Sequence, residues 1–259
     1  KRNQYKGLTL KIKNLKRQKL RNNEYYNMQI VFDELYEKSK KGKIFKNELY
    51  ELIIDPHNIE LAFRNIKNNT GSQTKGTDGK TIKNLISKTN EEVINLVKGK
   101  LNNFQPQKVR RVEIPKPNGK TRALGIPTIS DRLVQQCILQ ILEPICEAKF
   151  YEHSYGFRPT RGVKNALARA YTLANISKCH HVVDIDIEGF FDNINHGKLL
   201  KQIWTLGIRD KRVISIISKM LKAEIEGIGK PNKGTPQGGI LSPLLANIVL
   251  NEFDHWINT

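Results

Sequence analysis

Acid is scarce in this chain, cysteine is scarcer, and no apolar run is long; each shortage sets aside a class of protein. Asp plus Glu number 25 against 44 Lys plus Arg, a formal net charge of +19. That excess goes far beyond what solubility needs and favours a polyanionic partner, nucleic acid first. The three cysteines, Cys137, Cys146 and Cys179, are odd in number, scattered and without metal-ligand spacing, so reduced packing cysteines are expected. An anionic membrane surface would attract the same charge, but no apolar stretch reaches spanning length and no signal peptide is visible at the start. The expectation is a soluble cytoplasmic protein with no membrane partner.

The 259 residues suffice for one large or two modest domains with real cores. Positive charge is concentrated in two blocks: residues 1–21 hold nine basic residues and no acid, and residues 98–122 hold eight with only Glu113 opposing them. Leu8, Ile12 and Leu15 recur at helical spacing, as do Met28, Val31, Phe32 and Leu35, which predicts two amphipathic helices with basic solvated sides. A helix is predicted over 58–67, ending at a polar, flexible loop from Asn68 to Gly79. Residues 109–127 read as a hairpin, VRRVEIP then TRALGIP, turned by Pro117, Asn118 and Gly119. A long helix from near Ser130 should bury Leu133, Val134, Cys137, Ile138, Ile141 and Leu142 and be disturbed at Pro144. Helical patterns follow around 198–203 and 209–221, and a last helix opens at Ser242 with Pro243 in its first position.

Residues 181–196, HVVDIDIEGFFDNINH, place two carboxylates at alternate positions at the end of an apolar run. On a strand, Val182, Asp184 and Asp186 share one face, and Val183, Ile185 and Ile187 share a face that looks like core. Unpaired acids there would repel each other and lose hydration, so a bound cation or a strong hydrogen-bond network must offset the cost. In so basic a chain this suggests Mg²⁺ held for phosphoryl transfer. The alternative is one solvated acid at a strand end and another capping a turn.

Four segments occur together in one order: VRRVEIPKPNGKTRALGIP (109–127), HSYGFRPTRG (153–162), VVDIDIEGFFDNINH (182–196) and GTPQGGILSPLLANIVL (234–250). In order and spacing they resemble the reverse transcriptases encoded by mobile group II introns, whose polymerase also serves as the maturase that helps its intron RNA splice. The resemblance covers roughly residues 55–259, and its strongest element is QGGILSP; retron and diversity-generating enzymes usually differ near that run.

The resemblance implies a role for each matching residue. Asp186 matches the aspartate that ligates both catalytic metal ions, assisted by a backbone carbonyl, assigned here to Ile187; Asp184 lies one strand step behind, as a supporting acid or a direct ligand. Phe191 matches the steric gate that would collide with a ribose 2′-hydroxyl, while Phe190 is assigned to core packing. Lys116 and Arg122 match the cations that contact the incoming nucleotide, and Gln237 the glutamine lying against its sugar and base, with Gly238 letting the backbone come close. Asn247 is left between helix packing and support of the nucleotide site, and Arg158 between a buried structural arginine and a substrate contact. Asp192 and Asn193 read as turn caps, and Asp254 as a solvated helix position. Glu188 stands where many relatives carry Lys, which tempers any extra phosphate contact there. RNA contacts are expected from Lys11, Lys13, Lys16, Arg17, Lys19, Arg110 and Arg111.

The implied fold class is α+β: right-hand polymerase fingers and a partial palm, with an antiparallel palm sheet, packed helices and a basic helical N-terminal extension. The expected divisions are 1–54 extension, 55–136 fingers, 137–195 palm with the metal-binding aspartate, 196–236 second part of the fingers and 237–259 second part of the palm. The expected cofactor is a pair of Mg²⁺ ions; the expected partners are group II intron RNA, an RNA template with DNA primer, and deoxynucleoside triphosphates. The family's paired-aspartate hairpin would follow residue 259, so the 259 residues alone are expected to bind RNA without templated synthesis. The competing function is a non-catalytic RNA-binding splicing module.

Overall fold

The computed structural model describes residues 19–115, 119, 121–159 and 161–257. The expected helix at Leu8–Leu15, the cations Lys11, Lys13, Lys16 and Arg17, and Lys116 lie outside them. Residues 19–25 are helical. Helices follow at Gln29–Lys40 (α1), Glu48–Ile53 (α2), Pro56–Lys67 (α3), Lys83–Ile86 (α4) and Asn90–Asn102 (α5), then strands Arg110–Pro115 (β1) and Thr121–Ile126 (β2). Ile129–Glu147 (α6), Val163–Tyr171 (α7), Phe190–Asn193 (α8), His196–Thr205 (α9), Lys211–Leu221 (α10) and Ser242–Ile257 (α11) complete the order. The fold is thus a set of mixed helices with a two-stranded antiparallel sheet.

Helix α6 is the centre of the core, with α1, α2, α3, α5 and α11 packed on it. The expected stripe of Leu133, Val134, Cys137, Ile138, Ile141 and Leu142 is fully buried. Burial raises the thiol pKa of Cys137 and Cys146, as suits reduced packing cysteines, while Cys179 is exposed. Between α3 and α6, buried Asn58 donates to the carbonyls of Ile53 (3.0 Å) and Cys137 (3.1 Å) and accepts from Gln140 (2.7 Å). Such an amide, satisfied on both sides, fixes one helix register. The helix expected to be disturbed at Pro144 runs on through it, since α6 continues to Glu147. Ile145 and Cys146 are fully buried beyond the proline, and Ser39 donates to the Ile145 carbonyl at 2.8 Å. Tertiary packing there outweighs the one intrahelical bond that proline removes.

The loop expected to be flexible is instead clamped. Buried Arg132 donates from Nη1 to the Gly71 carbonyl (2.7 Å) and from Nη2 to that of Thr74 (2.6 Å). Gly76 lies so close to α6 that a Cβ there would sit 2.7 Å from the Thr128 Cα. Gly76→Ala is therefore expected to destabilise the fold by more than the ~1 kcal/mol typical of ordinary substitutions, measured as a fall in the urea midpoint.

The expected strand over 182–187 is also absent. Val182, Val183, Ile185 and Ile187 are 90, 83, 60 and 46 % exposed, and α7 buries no residue. A strand has its alternating faces only when a neighbour satisfies its backbone and covers one side. Among the described residues β1 and β2 pair only with each other, so the antiparallel palm sheet is not formed there and the face read as core lies open.

Candidate active site

The two strands of the hairpin pair in antiparallel register, with Arg110 opposite Ile126 and Pro115 opposite Thr121, while Pro117 and Asn118, read as its turn, lie outside the described residues. Its base is fixed by Val109, which donates to the Glu224 carbonyl (2.7 Å) and accepts from the Glu226 amide (2.9 Å). Arg122, on β2, donates from Nε to Oε1 of Gln237 at 2.6 Å across 115 residues of sequence. Two residues chosen separately as nucleotide contacts are thus brought into direct contact.

Two glycines allow that approach. A Cβ on Gly125 would meet Pro236 at 2.9 Å, and one on Gly238, whose φ is +123°, would meet the Gly125 carbonyl oxygen at 2.7 Å. The Gly125 amide donates to the Gln237 carbonyl (2.8 Å). The close approach of Gly238 is therefore to strand β2, in addition to whatever the cleft binds. Sequence reasoning missed three residues that hold this loop. Ser242 donates to the Pro236 carbonyl (2.8 Å) and accepts from Thr235 (2.9 Å), and Gln135 accepts from the Ile240 amide (2.8 Å). Gln135 stands three positions from Arg132 in α6, and only the tertiary fold shows what it holds. Gly238→Ala combines a left-handed backbone with a 2.7 Å clash, so the Arg122–Gln237 contact should be displaced; hydrogen exchange at the Gly125 amide is expected to accelerate.

These elements edge a cleft of about 710 Å³ lined by Arg122, Gln237, Asp186, Ile187, Phe191 and Asn247, among others. Phe191 stands edge-on between Phe190 (5.6 Å between ring centroids) and Phe157 (6.4 Å). Phe190 packs against the core, as expected, and also lines the cleft beside Phe191. Phe157 was not anticipated; it is 68 % exposed and has φ +54°. The Phe191 backbone is held in turn, since its carbonyl accepts from the Thr235 amide at 2.9 Å. Asn193 caps this turn through the Gly189 carbonyl (3.1 Å) and accepts from Lys233 (2.8 Å). Asn247, which also lines the cleft, donates to the Gly156 carbonyl (2.8 Å) and so ties α11 to the cleft wall.

The carboxylates are distributed differently from the expectation. Asp186 lines the cleft and Asp184 does not, while Asp192 and Asp254, read as a cap and a solvated position, both line it. No group of three or more metal-competent side chains converges among the described residues. The donors present suit Mg²⁺ only in the manner usual for that ion, one or two carboxylates with substrate phosphates completing the coordination.

Other candidate residues carry internal bonds. Arg158 is a buried structural arginine: its guanidinium grips both carboxylate oxygens of Glu147 (2.9–3.1 Å) and donates to the carbonyls of Tyr151 (2.7 Å) and Ser154 (2.9 Å). Arg161, in the same HSYGFRPTRG segment, donates to the Glu152 carbonyl. Arg111 is paired with Glu113 at 2.6 Å, Arg110 reaches the Lys75 carbonyl at 3.3 Å, and Lys19 lies 3.5 Å from Glu143.

Residues 114–259 match the family model described as reverse transcriptase (RNA-dependent DNA polymerase), more than half of the chain. The chain belongs to that family, on the branch of group II intron-encoded reverse transcriptases and maturases, a family that uses divalent metal ions. Among its relatives, Protein YkfC of Escherichia coli (strain K12) is 36 % identical over 218 residues, covering 81 % of this chain and 57 % of that protein. Group II intron-encoded protein LtrA of Lactococcus lactis subsp. cremoris is 39 % identical over 213 residues, covering 81 % and 35 %. The chain thus spans between a third and somewhat over half of these relatives. A partial Cas6-RT-Cas1–Cas2 complex shares the fold at a TM-score of 0.50 and 26 % identity, over 80 % of this chain and 34 % of that one.

Proposed function

We propose that these residues form the nucleotide-binding part of an RNA-directed DNA polymerase that also binds its intron RNA as a maturase. The observation that carries the reading is the contact of Arg122 with Gln237 on the cleft that Asp186 and Phe191 share. In this reading residues 55–136 and 196–236 act as fingers, 137–195 and 237–259 as palm, and 1–54 as a basic extension. Template RNA, DNA primer, deoxynucleoside triphosphate and intron RNA are the partners.

Arg122 donates to the triphosphate and Gln237, oriented by it, lies against the sugar and base. Lys116, near the hairpin turn, adds a second cation, and Gly238 keeps the loop tight to β2. Asp186 with the Ile187 carbonyl, and Asp184 behind it, would hold Mg²⁺, which when bound lowers the charge on the reacting phosphate and favours the attacking 3′-hydroxyl. Phe191 stands where a 2′-hydroxyl would collide. Lys19, Arg110 and Arg111, with Lys11, Lys13, Lys16 and Arg17, contribute phosphate contacts to RNA.

The test is RNA-templated primer extension by the natural gene product. Phe191→Val should raise ribonucleotide relative to deoxynucleotide incorporation. An unchanged ratio, with stability lowered by the ~3 kcal/mol typical of an emptied aromatic core site, would make Phe191 a packing residue. The second reading, a splicing module that only binds RNA, draws on the absence of a converging carboxylate trio among the described residues. It requires that Asp186 variants leave every measurable activity intact.

A further inference from the structure

The second half of the fingers carries a groove that the polymerase reading does not use. It measures about 610 Å³ and runs between α9 and α10, closed on one side by residues around Pro106 and Glu224. Its chemistry follows from the sequence of α10. Val213, Ile216, Ile217, Met220 and Leu221 face the core and Arg212 turns away to Glu51 and Tyr50, so Lys211, Ser215, Ser218, Lys219 and, just past the helix end, Lys222 fall beside Ile214 on one outer stripe. All five line the groove. From Lys211 to Lys222 the stripe runs about 16 Å at the rise of an α-helix.

Charge is not balanced within this groove. Lys108 is paired with Glu224 at 2.8 Å, but Lys211, Lys219, Lys222 and Lys230 have no ion-pair partner among the described residues. Lys222 follows the C-terminus of α10 and Lys219 lies in its last turn, where helix carbonyls would favour cations but neutralise none of their outward charge. Trp204 lines the same groove and is 39 % exposed, with the Arg209 guanidinium 5.5 Å from its ring centroid. Unneutralised lysines, interleaved hydroxyls and one aromatic plane with a stacked arginine are the groups that track a sugar–phosphate backbone and stack an unpaired base. A protein partner would have to supply a matching acidic ridge, and an anionic lipid surface would lie poorly in a concave trough.

We propose that this groove is a second RNA-contact surface, which seats the backbone of a partly single-stranded segment of RNA outside the nucleotide cleft. The inference rests on the reading that the protein handles RNA. Phosphates lie along the lysines of α10, the serine hydroxyls donate to phosphate or ribose oxygens, and an unpaired base stacks on Trp204.

The test compares the natural gene product with a groove variant, Lys211→Glu/Lys219→Glu/Lys222→Glu, and with a control of equal charge change, Lys40→Glu/Lys41→Glu/Lys67→Glu, at exposed positions outside the groove. Binding of a fluorescein-labelled RNA hairpin with a single-stranded tail is measured against salt, with circular dichroism confirming the fold. The groove variant should bind more than about tenfold more weakly, and its salt slope should fall by about two, as expected when three lysines no longer displace counterions. The control should lose far less affinity. Trp204→Ala should weaken binding of the tailed hairpin but not of a blunt one. Unchanged affinity and slope in the groove variant, beside clear RNA binding by the parent, would overturn the groove and leave the polymerase reading intact. Absence of RNA binding by the parent would overturn both. An equal loss in groove variant and control, or a loss seen only with phosphatidylserine vesicles, would also overturn it.

Discussion

Asp131→Ala is expected to cost about 3 kcal/mol of stability, the scale of breaking a buried ion pair by removing one partner. Asp131 is 2 % exposed; one oxygen accepts from Lys100 at 2.5 Å and the other from the Gln107 amide at 2.8 Å. It also lies in the first turn of α6, where Thr128 caps the helix and a carboxylate is favoured by the N-terminal dipole. The substitution removes two hydrogen bonds and a favourable dipole interaction, and leaves the largely buried Lys100 ammonium with the Ser130 hydroxyl, 3.1 Å away. A fall in the urea midpoint with unchanged slope would report it. Replacing both partners, as Asp131→Leu with Lys100→Met, should recover part of the loss. A loss under 1 kcal/mol for Asp131→Ala would show that the pair adds nothing beyond solvated charges.

The second large effect is on chemistry. Asp186→Asn in the natural gene product should lower RNA-templated deoxynucleotide incorporation by more than about 100-fold, beyond what loss of a supporting partner at a metal site typically costs, while RNA affinity changes by less than about twofold. The asymmetry follows from placement. Asp186 is exposed and lines the cleft, so amidation creates neither a buried unsatisfied group nor a cavity, and removes only a negative charge from where phosphates would gather. Comparable losses of synthesis and RNA affinity would place Asp186 at an RNA contact. Asp184→Asn should have a smaller effect, since Asp184 lies outside the cleft lining.

What the sequence revealed was whatever local chemistry decides. The hairpin was legible because Pro117, Asn118 and Gly119 stand between two alternating segments, and the core stripe of α6 because 3.6-residue periodicity survives any tertiary context. The helix over 56–67 was placed to within two residues, with Asp55 accepting from the His57 amide. Distant partners were what remained hidden. Nothing near Asn68–Gly79 says that Arg132 will grip its carbonyls, and nothing at Pro144 says that Ser39 will hold the following turn. The reading of 182–187 as a strand failed for a related reason, since alternation describes faces that exist only once a neighbouring strand is paired. In the candidate site, residue identity was visible but function was split: Gly238 tightens the loop against Gly125, and Asn247 holds the Gly156 carbonyl. Gln135 carried no signal because the Ile240 amide it accepts from is brought near only by the fold, and Ser242 was legible only as a helix start, not as the partner of Thr235 and Pro236.

The central claim is that the Arg122–Gln237 cleft receives the incoming nucleotide during RNA-templated synthesis. The most direct measurement is hydrogen exchange over residues 121–126 and 234–240 in the natural gene product, with RNA alone, with primer-template alone, and with primer-template, Mg²⁺ and the templated deoxynucleoside triphosphate. Protection of both segments is expected only in the last condition, and a non-templated nucleotide should leave them unprotected. Equal protection by RNA alone, unaffected by nucleotide, would contradict the claim and make this cleft an RNA-docking surface.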